Sequence, residues 1–269
     1  MSDTILGIIA ISLYLFSGGL LAARLFCKSK NRCLHKSGII AIGSASLLIH
    51  SYLLYFALFS SAGINLGIFN AFSLIMWLII LILIISALSK PVENLGIVLF
   101  PLAAIALTME VTLTSTHIIS SSGTWQLRAH IMFSFMAYSL FTMAMVQAII
   151  LYIQDRHLHN HQPGGFIRSL PPLQSMEAML FQIITIGYVL LTVGLILGGV
   201  FLDNIFTKGL THKTILSIIA WAIFSTLLWG RFRHGWRGRK AIQWTLIGFT
   251  TLMLAYFGSK LVLELVLSR

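Results

Sequence analysis

Apolar residues along this chain run in long, nearly continuous stretches rather than alternating or recurring on one helical face. Eight stretches reach or approach spanning length, near 4–26, 38–59, 69–88, 97–115, 129–153, 177–201, 214–230 and 242–265. Each is bounded by charges, Pro, or clusters of Gly, Ser and Asn. A bilayer core takes about 20 helical residues to cross, and lipid admits only structures that pair every backbone group internally. Membrane barrel strands would show segments of roughly ten residues with alternating polarity, which are absent here. The pattern predicts an all-α, polytopic membrane helix bundle of about eight transmembrane helices. We expect one integral-membrane domain over residues 1–269, with a four-helix part at 1–119. The one long internal loop, 154–176, carries Pro163-Gly164-Gly165 and Pro171-Pro172 and is too short to form a domain.

Composition strengthens this reading. The chain has 269 residues, 58% of them hydrophobic and 9% charged, against about 25% charged in an ordinary soluble domain. That excludes a soluble enzyme, a disordered chain and a disulfide-rich module. Met1-Ser2-Asp3 lacks the basic start of a signal peptide, so the first run is read as a retained helix. The two cysteines, Cys27 and Cys33, sit in one basic loop and are read as unpaired thiols.

The formal charge is +11. On an apolar chain such an excess reports membrane orientation rather than nucleic-acid binding. Thirteen of the 18 Lys and Arg residues fall in loops 1–2, 3–4, 5–6 and 7–8 with their flanks, from Arg24 to Lys240. The other five are Arg128, Lys208, Lys213, Lys260 and Arg269. The positive-inside rule then places both termini on the non-cytoplasmic side of the membrane.

No soluble catalytic motif is present: there is no GxSxG, P-loop or HExxH. Carboxylates are too scarce for a paired-carboxylate mechanism, and the chain is expected not to be an enzyme. Histidine is the chemistry that remains. His35, His157, His159 and His161 fall in cytoplasmic loops, and the last three read as a solvated polar turn. His234 lies in the basic stretch Arg231–Lys240, read as an anchor facing anionic lipid.

His50, His117, His130 and His212 differ. His50 lies inside the second span, where an ionisable group is costly and points to function. His130 opens the fifth span and His212 precedes the seventh, so the topology directs His50, His130 and His212 toward one leaflet. A neutral imidazole is a standard axial ligand of haem iron, and Arg128, Lys208, Lys213 and Lys260 are the outer-side cations suited to haem propionates. Glu110, near the outer end of the fourth span, is placed to orient a histidine or a cation. Lys260 and Glu264, four residues apart, read as a mutually neutralising pair. Most of the six tryptophans read as an interfacial belt.

Several pieces of the second half carry a family likeness. His130 opens a span reading His130-Ile131-x-x-Ser134-x-x-Ala137-Tyr138. Leu170-Pro171-Pro172-Leu173-Gln174-Ser175-Met176-Glu177 precedes a span with Gly187, Thr192 and Gly194. Lys213, Trp221, Arg231 and Gly235-Trp236-Arg237-Gly238 follow, then Gly248-Phe249 and Tyr256-Phe257-Gly258. In order and spacing, residues 120–265 resemble the cytochrome c assembly protein family of integral-membrane haem handlers, most closely its HemX/YpjD-like branch.

The resemblance implies an outward-facing haem site, with haem as the bound group and other cytochrome c maturation components as partners. The chain departs from the family in one segment. Better-known members carry a W-x-W-D-P-K-E pattern between two spans, whereas Thr211-His212-Lys213-Thr214 stands here with no Trp. A histidine after the last Tyr-Phe-Gly is also missing; Ser259-Lys260 occupy its place. The resemblance then implies His212 in the missing ligand's role, with His130 or His50 opposite. Two other functions compete: a regulatory or scaffolding protein that kept the fold without haem, and a small-solute transporter, which would show repeats that are not seen.

Overall fold

The computed structural model describes residues 2–26, 35–60, 63–113, 115, 117–120, 125–160, 170–201 and 211–258. Cys27, Cys33, His161, Lys208, Lys260, Glu264 and Arg269 lie outside the described residues. Eight helices dominate: α1 (Ser2–Phe26), α2 (Lys36–Leu58), α3 (Ile68–Ser89), α4 (Gly96–Thr112), α5 (Trp125–His159), α6 (Leu173–Phe201), α7 (Thr211–His234) and α8 (Arg239–Met253). Among the described residues, seven of them, α1 to α7, are long and apolar enough to cross a membrane. Helix α8 contributes 15 residues and passes into a π-helical turn, Leu254–Gly258.

The helices outrun the apolar stretches. Helix α5 continues to His159, past the end of its run at 153, and α7 spans 211–234 rather than 214–230. Gln, Arg and Lys are good helix formers, so a change to polar residues marks the exit from lipid, not the end of a helix. His157 and His159 are therefore the last turn of α5 and not a loop. Residues two apart on a helix do not face each other, so these two side chains do not converge on one ion.

The chain divides into two compact units, parted at residues 121 and 122, with Leu170 and Pro171 counted in the first. In the first, α1 packs chiefly on α4 and α2, and α3 on α4 and α2. Glycines make the close approaches. The Phe100 ring fills a hole bounded by Gly43 and Gly96, where an added Cβ would come within 2.7–2.8 Å of neighbouring atoms. Phe100 also stacks on Tyr14, with centroids 5.9 Å apart.

At the end where α2 and α4 finish and α3 starts, three short strands form an antiparallel ribbon in the order β1 (Phe59–Ser60), β2 (Gly63–Asn65), β3 (Ile118–Ser120). Phe59 pairs with Ile64, and Ile64 with Ile119. Asn65 organises this end. Its Oδ1 accepts from the backbone N–H of Gly67 and of His117, at 3.1 and 2.9 Å.

In the second unit, α5 and α6 run antiparallel along a seam of small residues. Gly187 lies against Phe141, Gly194 against Ser134 and Gly198 against His130. The steps match on the two helices, so one register serves the whole seam, and small residues let the backbones close up. Phe141 stacks on Phe224 of α7 at 3.9 Å between centroids, and Gly248 of α8 makes room for Phe224. Gly235 and Gly238, at φ 64° and 53°, turn the chain from α7 into α8, a backbone region that favours glycine.

Candidate functional site

His130 lies in the second turn of α5, half-buried. Its Nδ1 lies 2.8 Å from the carbonyl oxygen of Gly194 on α6. A carbonyl only accepts, so Nδ1 carries the proton. In the neutral ring that leaves the lone pair on Nε2, for which the described residues supply no hydrogen-bond partner. The ring is also held sideways: a Cβ on Gly198 would stand 2.9 Å from its Cε1. Metal-ligating histidines are oriented in this manner, with the second nitrogen donating to a carbonyl or carboxylate. Arg128, two residues earlier, is exposed.

His212 lies in the first turn of α7 and Lys213 follows it. The His212 side chain lies outside what is described, so its expected pairing with another histidine has no structural counterpart here. Among the described residues no group of three or more His, Cys, Asp or Glu side chains gathers as a metal site.

His50 has a different setting from the one expected. It is completely buried in the first unit, and both ring nitrogens are engaged. Nδ1 faces the Tyr14 hydroxyl at 3.2 Å and Nε2 faces Ser73 Oγ at 2.8 Å. Iron would have to displace a hydroxyl to reach either nitrogen. Ser73 Oγ in turn donates to Glu110 Oε2, and that oxygen is 3.8 Å from His50 Nε2. Nothing in the sequence pairs Tyr14 or Ser73 with a histidine; only the buried Glu110 signals the cluster. His117 acts through its backbone, donating N–H to Asn65 and accepting from Leu66 N–H at 2.8 Å, while its side chain is exposed.

At the opposite end of the second unit, Arg231 departs from the lipid-facing anchor expected of its stretch. It donates to Glu177 Oε1 at 2.9 Å and to the Trp236 carbonyl at 3.1 Å, and its guanidinium lies 4.5 Å over the Phe181 ring. Two tryptophans expected in a belt are tethers between helices instead. Trp77 Nε1 donates to Ser51 at 2.8 Å and Trp221 Nε1 to Thr192 at 3.0 Å.

Sequence comparison places this architecture. The family model described as "Cytochrome C assembly protein" matches residues 39–267. The chain belongs to the cytochrome c assembly protein family. Membership supports a role in cytochrome c biogenesis, and the match starts in α2, well before the residue-120 boundary read from the motifs. Among relatives, the inner membrane protein YpjD of Escherichia coli K12 is 34% identical over 209 residues, covering 76% of this chain and 78% of that protein. The cytochrome c biogenesis protein CcsA of Prochlorococcus marinus is 29% identical over 119 residues, 43% of this chain and 36% of that one. HemX of Brevibacillus brevis is 24% identical over 134 residues, 49% of each. With seven membrane-capable helices and this kinship, the family member described here is a multi-pass inner-membrane protein.

Proposed function

We propose that the protein handles haem in cytochrome c assembly and holds it as cargo, not as the cofactor of an enzyme, with His130 Nε2 as an axial ligand of the iron. The observation that carries this reading is the 2.8 Å contact from His130 Nδ1 to the Gly194 carbonyl. It fixes the tautomer that presents Nε2, and it anchors the ring on a second helix. His212 is the candidate second ligand. Arg128, Lys208, Lys213 and Lys260 are the proposed partners of the propionates, since these cations belong to the loops assigned to the non-cytoplasmic side. That assignment, with both termini outside, rests on the positive-inside rule. A cargo site must also release, and an oriented but half-buried ligand suits that better than a fully enclosed one.

The test is the absorption spectrum of the detergent-purified protein, oxidised and then reduced with dithionite. The wild type is expected to show a Soret band that sharpens on reduction. His130→Ala and His212→Ala should each weaken it, and His117→Ala should leave it unchanged. A band that persists in His130→Ala would overturn the ligand assignment. A flat wild-type spectrum after haem is supplied would favour a scaffold that kept the fold without haem, a reading that the missing Trp-rich segment supports.

A further inference from the structure

The buried cluster of the first unit is not used by the haem reading. Tyr14, His50 and Ser73 are each completely buried, and the Glu110 side chain is 3% exposed. Four helices each contribute one of these groups, at different depths below the same end of the bundle. Glu110 is two residues from the end of α4, Ser73 five from the start of α3, His50 eight from the end of α2 and Tyr14 twelve from the start of α1. At a rise of about 1.5 Å per residue these are depths of roughly 3, 8, 12 and 18 Å. The groups descend like steps from the ribbon end toward the middle of the bundle, each bonded to the next. Phe100 packs against the Tyr14 ring at the same depth, and Ser46 of α2 is a further side-chain hydrogen-bond partner of Tyr14.

Hydrogen-bond direction along this chain depends on a single proton. With Glu110 ionised, the Tyr14 hydroxyl donates to His50 Nδ1, His50 Nε2–H donates to Ser73 Oγ, and Ser73 O–H donates to the carboxylate. With Glu110 protonated, every bond reverses: Glu110 O–H donates to Ser73, Ser73 to His50 Nε2, and His50 Nδ1–H to the Tyr14 oxygen. The two states differ by one proton. In the protonated state a relay through Ser73 also moves that proton onto His50, leaving the serine neutral and an imidazolium facing a carboxylate. In the protonated state the Tyr14 O–H turns to its other side-chain partner, Ser46, so every polar group is satisfied in either direction, which matters because an unpaired polar group in lipid is costly.

Other titratable groups also stand on these elements. Asp3 lies in the first turn of α1, and His117, ahead of β3, turns its side chain outward. Tyr52 and Tyr55 of α2 are exposed. Arg24, Lys36, Lys90 and Glu93 stand at the far end of the bundle, where Lys36 and Glu93 pair at 3.3 Å.

We infer that Glu110, Ser73, His50 and Tyr14 form a proton-binding well, loaded from the ribbon end of the first unit. The ligand is a proton exchanged with water at that end. Intramembrane carboxylate–imidazole chains are suited to this chemistry.

The experiment uses the full chain in lipid nanodiscs, labelled with 15N-histidine and titrated over the pH range in which it stays folded. Infrared difference spectra read the protonated carboxyl, and nitrogen NMR reads the His50 tautomer. As pH falls, a protonated-carboxyl band should appear and the His50 ring signals should change with it. Glu110→Gln should remove the band and uncouple His50 from pH. Ser73→Ala should keep the band but leave the His50 signals no longer following it, and serves if Glu110→Gln does not fold. The proposal is overturned if neither a carboxyl band nor a His50 imidazolium signal appears at any such pH, or if the His50 signals follow pH identically in Glu110→Gln. These readouts do not involve haem, so their failure is distinct from failure of the His130 assignment.

Discussion

The Nδ1 proton of His130 is held by the carbonyl oxygen of Gly194 at 2.8 Å, a bond from the start of α5 to the later turns of α6. It is a side-chain bond to backbone, so no substitution at position 194 removes the acceptor. The orientation of His130 is instead exposed to changes in the seam around it.

Gly198 is the sensitive point. A methyl group there would meet the His130 ring at 2.9 Å. Gly198→Ala should tilt the ring and weaken its carbonyl bond, and loss of such an orienting partner typically costs about 10–100-fold in metal affinity. Haem titration followed at the Soret band should show that loss while circular dichroism stays unchanged. Unaltered affinity would mean the ring is not the ligand.

The stacked pair Phe141 and Phe224 is completely buried and joins α5 to α7. Phe141→Ala should destabilise the second unit by about 3–5 kcal/mol, the range for a large aromatic removed from a core. Unfolding in mixed detergent would measure this, and Phe141→Leu should recover much of it.

Arg231 has three partners that a lysine could not serve together: a carboxylate, a carbonyl and an aromatic face. Arg231→Lys should therefore resemble Arg231→Met more than the wild type in thermal melting. A lysine variant as stable as the wild type would reduce the site to simple charge pairing with Glu177.

Asn65→Ala would strip two backbone N–H groups, of Gly67 and His117, of their acceptor. With His117 exposed and Asn65 half-buried, water can take the lost acceptor's place, so the cost is that of ordinary hydrogen bonds, about 0.5–1.5 kcal/mol each. Hydrogen exchange should rise at the ribbon and the start of α3 and stay unchanged in α5 to α8.

Much of the fold is legible in the sequence because lipid leaves few choices: an apolar run of 20 residues or so must be a helix. What the runs could not give were the ends of α5 and α7, since helix and hydrocarbon do not stop together. The ribbon was hidden because strands of two or three residues leave no alternation to read. At the candidate site, His130 was visible from its place at a span entrance, but its partner was not, because a backbone carbonyl has no residue signature. The burial of His50 was visible; its engagement on both nitrogens was not, because Tyr14 and Ser73 come from helices distant in sequence. Arg231 misled for a related reason: within a run of arginines, composition does not show which one points inward.

Helix α5 is 35 residues long and contains neither Gly nor Pro. At about 1.5 Å per residue it measures roughly 52 Å, well beyond the hydrocarbon layer. His130 is near one end, and near the other is Asp155, which meets Arg239 of α8 at 3.4 Å. Mechanically, such a helix is a strut. Because one register of contacts ties it to α6 along the seam, a tilt imposed at the Asp155 end would carry α6 with it and move the imidazole and its Gly194 acceptor together.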